Sequence, residues 1–162
     1  MVYVLVILAC HLLQNVLFTQ EGSIRCFLLI PVCILLGLNE DERTAAMLGL
    51  FGGLLWDSVS AQHRGFHAIC LMLLCYITAA TVVFIFRNTY LLGVIETVFC
   101  VLLYCLVYWL VFILARGRIG AGEVLAGIYL PSALVTAVLS PVIYLILSPL
   151  KDKLNHEKQI ES

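Results

Sequence analysis

The chain has 162 residues, of which 63% are hydrophobic and only 12% charged, with a mean hydropathy of +1.09. Soluble domains carry about 25% charged residues, so roughly half the charge that keeps a globule in water is missing, and the solvent of this chain is lipid. A formal net charge of −1 excludes a basic nucleic-acid surface, and Leu-rich runs without period-2 alternation exclude a transmembrane barrel.

All charges but Glu96 are clustered, at residues 21–25, 39–43, 57–64, 87, 116–123 and from Lys151 onward. The apolar runs between them approach the ~20 helical residues that cross a ~30 Å hydrocarbon core, and predict an all-α, polytopic membrane helix bundle of about six spans. The first span covers residues 2–18. It lacks the basic n-region and small-residue cleavage site of a signal peptide, so it reads as a retained helix. The second, about 24–38, carries Pro31, which lipid tolerates when neighbours re-satisfy the freed carbonyl.

The third span, 44–56, has only thirteen uncharged residues, which make about 20 Å of helix. It needs Asp57 and Ser58 at the interface, a thinned bilayer, or protein on all sides, and its small residues favour the last. Gly49 and Gly53 form a Gly-x-x-x-Gly pair with Gly52 beside it, a face that lets helices approach closely. The fourth and fifth spans cover 68–86 and 90–114. After the Gly-rich turn 116–122, residues 123–130 read in either of two ways. They are a short re-entrant piece before a last span opening at Pro131, where the missing N–H is harmless, or the start of one kinked helix over 124–147.

Six spans put both termini on one side of the membrane. Arg43, Arg87, Lys151, Lys153 and Lys158 then share a side against Arg25, Arg64, Arg116 and Arg118, which favours cytoplasmic termini. Residues 1–150 read as one transmembrane domain, and 151–162 as a short hydrophilic cytoplasmic tail.

Few residues are equipped for chemistry. Asp57 directly follows an apolar run, and an ionisable residue at a span end is a functional candidate. Its plain role is an interfacial carboxylate facing water or Arg64. Its sharper role is to accept N–H groups of the loop at 60–65. Glu96 lies six residues into the fifth span, placed either to snorkel or to face a partner inside the bundle. His63 and His67 are four apart, but Gly65 interrupts them and no third ligand has the right spacing, so no metal or cofactor is expected. His11 reads as a satisfied packing histidine. Cysteines 10, 26, 33, 70, 75, 100 and 105 lie in apolar runs without a Cys-x-x-Cys pair and read as small hydrophobes. No Gly-x-Ser-x-Gly, His-Glu-x-x-His or Walker pattern occurs, so an enzyme is not expected.

The stretch Gly49-Leu-Phe-Gly-Gly-Leu-Leu-Trp-Asp57-Ser-Val-Ser, followed by Gly65-Phe-His-Ala68 and the apolar run to Tyr76, resembles the MreD family of rod-shape-determining proteins. That family shows a small-residue helix ending in Leu-Leu-x-Asp, a short loop, and Gly-x-x-Ala/Leu opening the next span. The later Leu130-Pro131-Ser132 with its apolar span and basic tail is similar too. The resemblance implies a multi-pass scaffold of the bacterial cell membrane that binds MreC and supports the glycosyltransferase RodA and its penicillin-binding transpeptidase. It also implies a fold like the substrate-binding components of energy-coupling-factor transporters. Gly49, Gly53, Asp57, Gly65 and Pro131 would then be structural or partner-facing, not catalytic. The acidic Glu40-Asp41-Glu42 loop and the many cysteines depart from the family pattern. The alternative is a vitamin-transport component of that transporter type, for which residues 9 and 13 of the first span (Ala9, Leu13) make a poor docking face.

The topology has a direct test. Reporter fusions at Ser162 and within the 62–65 loop are expected to report opposite sides of the membrane, with Ser162 cytoplasmic. Signals from the same side would contradict six spans.

Overall fold

The computed structural model describes residues 2–17, 27–38, 40–60, 65–85, 90–114 and 121–161, and of residues 17, 83–85, 90–92, 121 and 148–161 the backbone alone. All regular structure among them is helical. In chain order these are α1 (Val2–Leu17), α2 (Leu29–Gly37), α3 (Glu42–Val59), α4 (Phe66–Ile85) and α5 (Tyr90–Trp109), which runs on through a π-helical turn, Leu110–Leu114. Then α6 (Ala121–Val124) passes through a second π-helical segment, Leu125–Tyr129, into α7 (Leu130–Glu161). The helices over Gly93–Leu114 and Gly122–Leu147 are long and apolar enough to cross a membrane, while Val2–Val16 and Phe66–Val82 are apolar and shorter.

The centre of the bundle is α2. Its nine residues, Leu-Ile-Pro-Val-Cys-Ile-Leu-Leu-Gly, are all buried, as a helix with no polar face must be. It packs against α1, α3, α4, α5 and α7. Nine residues make only about 13 Å of helix, shorter than the 24–38 span expected. The start of the helix is therefore inside the protein, where its first N–H groups have no helical acceptor. Two neighbours supply one. Phe27 N–H donates to Thr136 Oγ1 at 3.1 Å, and Leu29 N–H to Gln14 Oε1 at 2.9 Å. Pro31 brings no N–H to satisfy, and the Phe27 carbonyl accepts from Ile30 N–H at 3.2 Å instead.

The third helix is longer than the 44–56 expected. It takes Glu42 and Arg43 into its first turn and Asp57 and Ser58 into its last, which extends 18 residues to about 27 Å. Nor is it surrounded by protein on all sides. Met47 and Leu54 are 71% and 53% exposed, so α3 is one-sided, and its buried side is the glycine face. A Cβ added at Gly49 would lie 2.5 Å from the Leu71 carbonyl oxygen and 2.9 Å from Cys75 Sγ. One at Gly52 would lie 2.5 Å from Cys33 Sγ of α2, and one at Gly53 would overlap the Ala68 backbone of α4. Hydrogen in place of a methyl group is what lets α3 lie on the backbone of α4.

Pro131 does not open a helix. The helix is continuous from Ala121 to Glu161, as in the one-helix reading of this region, and residues 123–130 are part of it. A proline inside a helix clashes with the carbonyl four residues back and removes a bond. Here the preceding turn widens to π geometry, with Leu130 N–H bonded to the Leu125 carbonyl, which is a known way to absorb such a residue. At Pro141, the Ala137 carbonyl that loses its N–H accepts the Ser140 hydroxyl at 2.8 Å.

Two contacts define one end of the bundle. Tyr3 Oη donates to Glu40 Oε1 at 2.8 Å, and a Cβ at Gly93 would lie 3.2 Å from Leu38 and 3.4 Å from Tyr144. The start of α1, the α2–α3 connection, the start of α5 and the part of α7 around Tyr144 thus share an end. The glycine contacts generate a prediction. Gly53→Leu and Gly49→Leu should each destabilise the protein by at least the ~1–3 kcal/mol of overpacking, because rigid backbone stands in the way. Gly127→Leu, at a position with nothing within 4 Å of an added Cβ, should be nearly neutral. Thermal unfolding in detergent measures all three, and equal stability of the Gly53 and Gly127 variants would refute the close packing.

Candidate functional site

At the other end of the bundle, the last turn of α3 meets the first turn of α4. Gly49, Gly53 and Asp57 follow one another at i, i+4 and i+8, so they share a face. The glycines seat α3 against α4, and Asp57 is carried onto the start of α4 one turn further on. Its side chain is buried, with the residue 8% exposed. Asp57 Oδ2 accepts the Ala68 N–H at 2.9 Å. Asp57 Oδ1 accepts the His67 ring Nδ1–H at 2.7 Å and the His67 backbone N–H at 3.4 Å.

The arrangement is a helix cap delivered from the preceding helix. The residue before α4 is Gly65, which has no side chain to cap with and sits at φ +89°, in the left-handed region that glycine adopts without steric cost. Asp57 replaces the missing cap. It also places negative charge at the positive end of the α4 dipole. Because a carboxylate only accepts, the ring contact requires that His67 Nδ1 carry a proton.

Aromatic rings cover the pair. Trp56 lies 4.7 Å from the His67 ring and stacks on Tyr104 at 5.7 Å. Phe27 meets Tyr104 edge-on at 5.6 Å, and Phe66 meets Phe112 edge-on at 4.8 Å. Tyr108 reaches Tyr129 at 5.5 Å. The rings tie α3 and α4 to α2, α5 and the segment leading into α7. Both π-helical segments contribute, through Phe112 and Tyr129.

The structure brings Gly49, Gly53, Asp57 and Gly65 together around the α3–α4 corner. Pro131 is not among them, being two residues beyond the Tyr129 ring on α7. The acceptor role of Asp57 holds with different donors from those expected. Those described are the N–H groups of 67 and 68 and the His67 ring, while residues 61–64 of the expected loop lie outside the described residues. His63 and Arg64 lie outside the described residues. His67 was missed as a partner because it reads as half of a failed metal pair. The signal available was an acid at the end of one helix facing the orphan N–H groups of the next across a short Gly loop.

Elsewhere, Glu96 accepts the Thr81 hydroxyl of α4. His11 is buried and only half satisfied. Its Nε2 meets Asn15 Nδ2 at 3.0 Å, while Nδ1 has no partner among the described residues. The described cysteines, at 10, 33, 70, 75, 100 and 105, are free thiols, and Cys26 lies outside the described residues. No group of three or more His, Cys, Asp or Glu among the described residues is placed to hold a metal ion.

A family model described as rod shape-determining protein MreD matches residues 1–153. No curated protein and no solved structure matches the chain.

The corner makes ordered predictions for stability. Asp57→Asn keeps size and polarity but loses charge-assisted bonds, and should cost about 1–3 kcal/mol. Asp57→Ala should cost more, since it strands two helix N–H groups and the His67 ring N–H. Gly65→Ala should cost about 1–2 kcal/mol from its positive φ alone, although the space around it is open. Unfolding temperatures in one detergent give the ranking, and Asp57→Ala as stable as the wild type would exclude the cap.

Proposed function

The chain belongs to the MreD family of rod shape-determining membrane proteins, and from that membership we propose that it is a non-catalytic integral scaffold of cell-wall elongation. In this reading it binds MreC and so supports RodA and its penicillin-binding transpeptidase in the bacterial cell membrane. It crosses that membrane several times, with both termini cytoplasmic. The sharing of one bundle end by the start of α1 and the part of α7 around Tyr144, close to the end of its apolar stretch at Leu147, supports an even number of crossings.

The observation that carries the reading is how Asp57 is used. A general acid or base must come within hydrogen-bond reach of a substrate proton. Here both carboxylate oxygens are engaged by the start of α4, and aromatic rings lie over the His67 partner. The polar groups of the site are committed to holding two helices at a set angle. Gly49, Gly53, Asp57 and Gly65 would then act on partners through shape, by fixing how the outer faces of α3 and α4 are presented. The vitamin-transport alternative gains no supporting observation.

Depletion of the protein in a rod-shaped host is expected to round or swell the cells, with MreC co-purifying from native membranes with the wild-type chain. Normal shape after clean removal, or turnover of a substrate by the purified protein alone, would contradict the proposal.

A further inference from the structure

Away from the α3–α4 corner, the later part of α4 touches α5, and among the described residues one polar pair joins them. The Thr81 hydroxyl donates to Glu96 Oε1. Thr81 is four residues from the end of α4 and Glu96 six from the start of α5, about 6 and 9 Å along the helices. Both therefore lie inside the apolar zone. Glu96 is only half-buried. Beside it, Ile95, Phe99 and Leu102 at i, i+4 and i+7 form an outward stripe, with Ile95 62% and Phe99 63% exposed. The carboxyl group thus stands at the rim of a surface otherwise suited to hydrocarbon.

Such a position is expensive for an acid. Ionisable side chains within membrane spans pair with one another or face the protein interior, and an ionised carboxylate offers about four acceptor sites. Among the described residues, Thr81 alone bonds to Glu96.

We infer that Glu96 is the docking point for a transmembrane helix of a partner protein that carries one basic side chain at matching depth. Charge complementarity selects the occupant. A cation supplies the donors that Thr81 does not, and the Ile95–Phe99–Leu102 stripe takes the apolar face of the same helix. The pairing fixes the partner's depth and rotation, because only one register brings charge to charge. It holds whichever protein supplies the helix, so it stands apart from the assignment of MreC as partner.

The test uses the full-length protein, donor-labelled and reconstituted in neutral-lipid vesicles with acceptor-labelled Leu-rich transmembrane peptides. One peptide carries a single Lys about 6–9 Å below its end, and the other carries none. Energy transfer is expected to show the Lys peptide associating at least ten-fold more tightly. Glu96→Gln, which keeps an acceptor for Thr81, is expected to abolish that preference with no change in unfolding temperature, while Glu96→Asp retains part of it and Thr81→Val most of it. Equal association of both peptides would mean that lipid covers the face, and would overturn the inference. So would a preference that survives Glu96→Gln, or energy transfer between copies of the chain that Glu96→Gln removes. A preference that emerges only in Arg87→Gln would show that the chain supplies its own cation, and would overturn it equally.

Discussion

A helix that starts inside an apolar bundle leaves N–H groups that water cannot reach, and the architecture of this chain follows from how those groups are satisfied. Each unpaired group costs several kcal/mol in a hydrocarbon setting, so every buried helix start must be matched to an acceptor on another helix. For α2 the acceptors are Gln14 on α1 and Thr136 on α7. For α4 the acceptor is Asp57 on α3. These bonds specify which helices are neighbours and at what level they meet, which nonspecific packing of Leu against Leu does not.

The glycines make the second of these caps possible. With hydrogen at Gly49 and Gly53, α3 closes on the backbone of α4, and the Asp57 side chain, one turn on, is short enough to reach the first N–H groups. A larger residue at Gly53 would move the carboxylate as well as the helix axis, so the packing and the cap are one cooperative unit. The π-helical segments act on the other half of the chain. The second lets the helix run on past Pro131, and the two carry Phe112 and Tyr129 into the ring cluster around His67. The corner between α3 and α4 is thereby braced from three directions.

Much of this was legible in the sequence. Hydropathy located the helices at 2–17, 66–85 and 90–114 to within about two residues, because a long apolar run bounded by charges has few alternatives. The small-residue spacing marked a close-packed face on α3. What composition could not supply was tertiary. The nine buried residues of α2 look like any other apolar segment until the neighbours that cap its start are known. Hydropathy ends α3 too early at Glu42, Arg43 and Asp57, because a helix can carry charge in its terminal turns when water or a partner meets it. Of the two readings of Pro131, the one kinked helix matches the structure, but the π turn before it leaves no mark in the residue pattern. His67 pairs by spacing with His63, whereas its partner in the fold, Asp57, is ten residues back.

If the corner is the rigid element that a shape-determining scaffold presents to its partners, the cap at the start of α4 must stay closed in the native state. Amide hydrogen exchange of the protein in lipid nanodiscs, read at His67 and Ala68, measures this directly. The account predicts that both amides exchange as slowly as those in the middle of α4, and that Asp57→Asn speeds them at least ten-fold while mid-helix amides are unchanged. Fast exchange at His67 and Ala68 in the wild type, or protection untouched by the substitution, would contradict it.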